Sequence, residues 1–110
     1  MPRRVTLLLE RPQGDSRAFT AAVSLIRCLP VAAAERALRT RAATLEGAVA
    51  GLDAHLHSGL PALLLLEVEC ERALRAAELD WVRGVLDRLR SGELTWTASL
   101  RADLLDDVLE

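Results

Sequence analysis

The densest chemistry in this chain is acidic. Glu67, Glu69 and Glu71 crowd five residues, and Glu78 and Asp80 follow. At about 100° per residue, Glu67 and Glu71 share one face of a helix, and Glu71 stands one turn before Arg75. Two readings fit. One is a solvated charged face supported by a Glu71–Arg75 pair. The other notes that Glu67 lies three residues from Cys70 on an apolar seam, where a partly desolvated carboxylate could anchor a ligand or move a proton. His55 and His57 are two residues apart, which puts them about 200° apart on a helix and suits one metal ion poorly. A histidine at a helix C-terminus is favoured by the helix dipole, which is reason enough for either. Cys28 and Cys70 lie far apart and match no zinc or redox spacing, so both read as buried thiols. No nucleophile–base pair or phosphate loop is present. Glu67, Glu71 and His55 are the only weak candidates for acid/base work, and no metal or cofactor is expected.

A second group of residues points to a cavity. Gly47 and Gly51 lie one turn apart, flanked by Ala43 and Ala54, and Gly84 follows Trp81 by three. Each glycine inside a helix costs about 1 kcal/mol relative to alanine. They mark either a close helix approach or a thinned wall. If the chain turns back on itself at Gly59, Gly47 comes level with Glu71, and Gly51 with Glu67. Trp81 is one of three aromatic residues and sits on the apolar seam with Cys70 and Leu74. It could be a core anchor or a stacking plate for a flat ligand. The candidate ligand set is therefore Trp81, Gly47, Gly51, Glu67, Cys70, Leu74 and Gly84.

These residues need helices to hold them, and the composition supplies little else. Among 110 residues there are 23 Leu and 18 Ala but one Phe, two Trp, no Tyr and no Lys, so all 14 basic residues are Arg. Leu, Ala, Arg and Glu favour helix, and the shortage of β-branched and aromatic residues argues against sheet. A net charge of −2 with interleaved Arg and acids gives no phosphate-tracking stripe, so no nucleic-acid partner is expected. The longest apolar run, Leu60–Leu66, falls far short of the roughly 20 residues of a membrane span, and Val5–Leu9 is too short for a signal peptide. A cytoplasmic protein without a membrane partner is expected.

Punctuation sets the elements. Residues 3–11 form a short apolar segment, stopped by Pro12-Gln13-Gly14. Asp15 or Ser16 can cap a helix over 16–28 that places Phe19, Val23 and Ile26 on one side. Leu29-Pro30 breaks it. From Val31 to about His57, the residues Val31, Ala34, Leu38, Ala42, Leu45, Val49, Leu52 and Leu56 step by threes and fours, as in a helix packed along another. Gly59 and Pro61 supply a stop and a start. A second long helix then runs to Ser91 and ends at Gly92. One of its apolar rows is Leu63, Leu66, Cys70, Leu74, Ala77, Trp81 and Val85; the other is Val68, Leu79, Val82, Leu86 and Leu89. Both rows are expected to be buried. The fold class is all-α: a long antiparallel hairpin with short N-terminal helices, forming one domain over 1–110. Helices of about 40 Å exceed the roughly 13 Å radius of gyration of a compact 110-residue globule. The pattern therefore predicts a homodimer in which two hairpins make a four-helix core. Trp96 reads as a clamp on the hairpin, and Leu100, Leu104, Leu105, Val108 and Leu109 as a final amphipathic turn or two.

The run GLPALLLLEVECERALRAAELDWVRGVLDRLRSGELTW, 59–96, together with Phe19–Leu25 and the Leu29-Pro30 break, resembles the C-terminal domain of PadR-family transcriptional regulators from actinobacteria. The likeness spans about 5–96 and leaves the tail after Trp96 outside. Nothing corresponds to the family's winged helix. The resemblance therefore implies a dimerisation and effector-sensing part that binds a hydrophobic or aromatic small molecule at the helical interface, without DNA binding of its own. Two alternatives stand beside it. One is a small helical enzyme using a carboxylate or histidine on an apolar substrate. The other is an interaction module that pairs with a full-length regulator chain.

Overall fold

A computed structural model describes residues 3–10 and 16–97. Four α-helices and one 3₁₀ turn follow in order: α1 (Arg3–Glu10), α2 (Ser16–Ser24), the 3₁₀ turn (Ile26–Cys28), α3 (Val31–Leu56) and α4 (Ala62–Ser91). No strand occurs among the described residues, and the fold is all-α. None of the helices is long and apolar enough to cross a membrane. The expected turn or two beyond Trp96 falls on residues 98–110, outside the described residues.

The two long helices form the expected hairpin. Pro30 and Pro61 stand immediately before α3 and α4, with extended backbone (ψ 146° and 143°) that aims the chain into each first turn. Gly59 (φ +87°) carries the reversal, and Gly92 (φ +80°) closes α4 through its N–H to the Leu89 carbonyl. Both glycines occupy the left-handed region that other residues enter at a cost. The helix expected over 16–28 is divided instead. Because Pro30 disfavours helical backbone at Leu29, the chain tightens into a 3₁₀ turn and leaves with Leu29 extended.

The core lies between α3 and α4 at the end away from the turn, where α1 packs on α3 and on α2. Ala34, Ala37, Leu38, Ala42 and Leu45 meet Leu79, Val82, Val85, Leu86 and Leu89, and Val5, Leu9, Ala22 and Leu29 close the end. Trp96 acts as the expected clamp: its Nε1–H donates to the Leu29 carbonyl at 2.8 Å, and its ring packs against the core.

One buried charge joins four helices. Arg41, 1% exposed, donates from Nε to Glu78 Oε2 on α4 at 2.8 Å and from Nη1 to the Leu8 carbonyl of α1 at 3.1 Å. Its guanidinium also lies 3.6 Å from the centroid of the Phe19 ring of α2. A cation is favoured at the carbonyl end of α1 and over an aromatic face, and Glu78 balances its charge.

The molecule is flat. Its radius of gyration is 16.1 Å and its extents are 53 × 32 × 15 Å. The short helices α1 and α2 pack at one end of the hairpin, and toward the turn the outer side of α4 stays bare.

Candidate ligand and partner surface

The bare side of α4 is apolar. Leu63 is 77% exposed, Leu64 65%, Leu66 54%, Leu74 64% and Trp81 48%. Cys70, Ala77 and Gly84 are exposed on the same side. Of the two rows read from the sequence, only the one containing Leu79, Val82, Leu86 and Leu89 is buried, joined by Val85 and by Leu65. The rest of the other row faces away from α3. Leu63 and Leu65 are about 200° apart around the axis, so contact of one with α3 leaves the other outside. For the same reason Cys70 is an exposed thiol, a correction to the expectation of two buried ones, whereas Cys28 is buried as expected.

At the upper end of this stripe Trp81 meets Phe19 edge to face, with centroids 5.9 Å apart. The two rings border an open cleft of about 260 Å³, completed by Thr20, Val23 and Glu78. Glu78 Oε2 is held by Arg41. An aromatic ledge beside a fixed carboxylate can accept a flat apolar body and orient one polar group. The cleft is smaller than the roughly 300–1,000 Å³ typical of ligand pockets.

A second shallow cleft of about 350 Å³ runs between the long helices, lined by Thr44, Ala48, Gly51, Leu52, Glu71 and Arg75. Arg75 Nε donates to Glu71 Oε1 at 3.0 Å, the intrahelical pair expected from their spacing. Gly51 borders Glu71 here and not Glu67, with which equal spacing from Gly59 would align it. Helix side chains lean toward their own N-terminus, so those of α4 lean toward the turn and reach α3 residues nearer it. The interhelical pairs Arg72–Asp53, Arg83–Glu46 and Arg90–Glu35 follow the same slant.

The expected ligand residues do not close on one point. Glu67, Cys70, Leu74, Trp81 and Gly84 run along one side of α4, and Glu67 and Trp81 are about 21 Å apart at the helical rise. Gly47 and Gly51 lie on α3. A methyl group added at Gly47, Gly51 or Gly84 would meet nothing within 4 Å, so none of them serves close packing within the chain. Glu67 and His55 are exposed, and His57 Nδ1–H donates to the Asp53 carbonyl at 2.7 Å. Asp53 carries the clearest electrostatic perturbation. The hydrogen bond from Arg72 holds its carboxyl below the ordinary value of 3.8, against a smaller opposing effect of desolvation, and the charges of Arg72 and His57 add to the lowering.

Sequence reasoning passed over Arg41, Phe19 and Glu78 as site residues. A signal was available for the first: Arg41 stands four residues after Ala37, three after Leu38 and four before Leu45, on the apolar side of α3. No protein-family model, curated protein or solved structure matches the chain.

Proposed function

We propose that this chain is a PadR-like dimerisation and sensing domain. Two copies pair through the outer side of α4, and a flat apolar small molecule binds beside Trp81 at the pairing surface. The observation that carries the reading is the row Leu63, Leu66, Leu74 and Trp81, each about half exposed or more on one side of one helix. Large contiguous apolar patches on a folded protein mark interaction surfaces. The family attribution rests on the sequence resemblance, and the all-α hairpin is compatible with it. Because the row points away from α3, pairing through it places the two α4 helices in the middle and the α3 helices outside, a row of four rather than a square bundle.

Sedimentation between about 1 and 100 μM tests the pairing: the dimer fraction and the melting temperature should fall together on dilution, as mass action requires. A monomer of unchanged stability across that range contradicts it. Titration with flat aromatic compounds should quench Trp81 and raise the melting temperature, while Trp96, fastened to Leu29, reports no change. Absence of quenching across such compounds leaves pairing with a regulator chain as the function.

A further inference from the structure

We infer that the second copy lies antiparallel, with the two α4 helices crossing near residue 72, so that the turn end of each copy covers the Phe19–Trp81 cleft of the other. The inference rests on the proposed pairing and specifies its geometry. Outward positions of α4 fall at 63, 67, 70, 74, 77, 81 and 84, with Leu60 one step ahead in the link. Alternating steps of four and three keep a seam on one side of a helix.

Sizes along the seam match when it is reversed on itself. Leu60 comes level with Gly84 of the second copy, Leu63 with Trp81, Glu67 with Ala77, and Cys70 with Leu74. Gly84 has open space around it, into which a leucine side chain fits. Ala77 is small enough to leave the Glu67 carboxylate a path to water. Leu60 and Leu63, exposed at the turn end, arrive where the aromatic cleft is open. Sliding the register by seven residues strands either Leu60 and Leu63 or Trp81 and Gly84. A parallel pair would set Glu67 against Glu67 on an apolar seam and leave two glycines face to face. A two-fold interface must be self-complementary, and only the antiparallel register at 72 satisfies this along the whole row.

Spin labels read the geometry. In a Cys70→Ser chain, with Cys28 buried, labels are placed separately at Glu69→Cys and Asp87→Cys, both exposed off the seam. The antiparallel register gives an axial separation of about 9 Å for the first and about 45 Å for the second, from 1.5 Å per residue. Similar short distances at both positions mean a parallel pair, which overturns this inference and leaves the dimer standing. No intermolecular distance at either position removes both. Gly84→Leu supplies a second test, because leucine raises helix propensity. Helicity should hold or rise while the dimer dissociation constant weakens at least tenfold, and Gly47→Leu on the outer side of α3 should leave that constant unchanged. Unaltered dimerisation in Gly84→Leu contradicts the register.

Discussion

The two sides of α4 have nearly the same apolar content and opposite surroundings. Toward α3, Leu79, Val82, Leu86 and Leu89 are sealed by side chains of the same chain, and ion pairs line the edges. Away from it, Leu63, Leu66, Leu74 and Trp81 meet nothing large enough to cover them. The first side is the chain's own core; the second is left uncovered by the described residues, and in the proposed pairing a second copy covers it. Hydrophobic periodicity specifies that a face is apolar, and only the fold decides what covers it.

The strongest way to break this contrast is at Arg41. Arg41→Ala removes the cation that joins four helices and strands the Glu78 carboxylate. Breaking a buried pair costs about 3–5 kcal/mol, which should appear in denaturant unfolding at every protein concentration. Leu74→Asp should act differently. Leu74 is 64% exposed, so the fold of the single chain should change little. The dimer should weaken by at least about tenfold, equivalent to roughly 1.4 kcal/mol, visible in sedimentation with unchanged circular dichroism.

Gly47→Ala and Gly51→Ala sharpen the comparison on α3. Neither added methyl meets another atom, so each should stabilise the helix by up to about 1 kcal/mol in thermal melts. A loss of stability would mean that a partner packs closely there. The smallest effect belongs to the exposed Asp53–Arg72 pair. Arg72 lowers the Asp53 pKa, so its contribution is complete above the ordinary value of 3.8 and is lost as pH falls through the lowered one. Asp53→Asn should remove that small contribution at neutral pH and converge with the parent chain at low pH, flattening the acid limb of the stability profile, which melts from pH 2 to 7 would show.

Helix boundaries were legible because punctuation carries local physics. Prolines and glycines set the limits of α3 and α4 to within a residue, and the step of threes and fours in α3 picked out its buried side. The 3₁₀ break at Leu25 was not legible, because nothing before Leu29-Pro30 disrupts the helical pattern. The site was read only in part. Trp81 was recognised from its place on the seam, but its neighbour Phe19 is about sixty residues away, and their meeting depends on how α2 is laid against the hairpin. Arg41 looked like one more charge on a helix rich in arginine. Its burial depends on the carbonyls of α1 and the carboxylate of α4, which no local pattern reveals. The exposed thiol at Cys70 was missed for the complementary reason: an apolar row was equated with a covered one.

Hydroxyl-radical footprinting at increasing protein concentration tests the central claim most directly, because it reads which side of α4 becomes covered. Val82, Leu86 and Leu89 should be protected at every concentration. Leu63, Leu66, Leu74 and Trp81 should be labelled when dilute and become protected together as dimer forms. Labelling of those four that stays constant while the sample dimerises would show that another surface makes the pair, and would contradict the account.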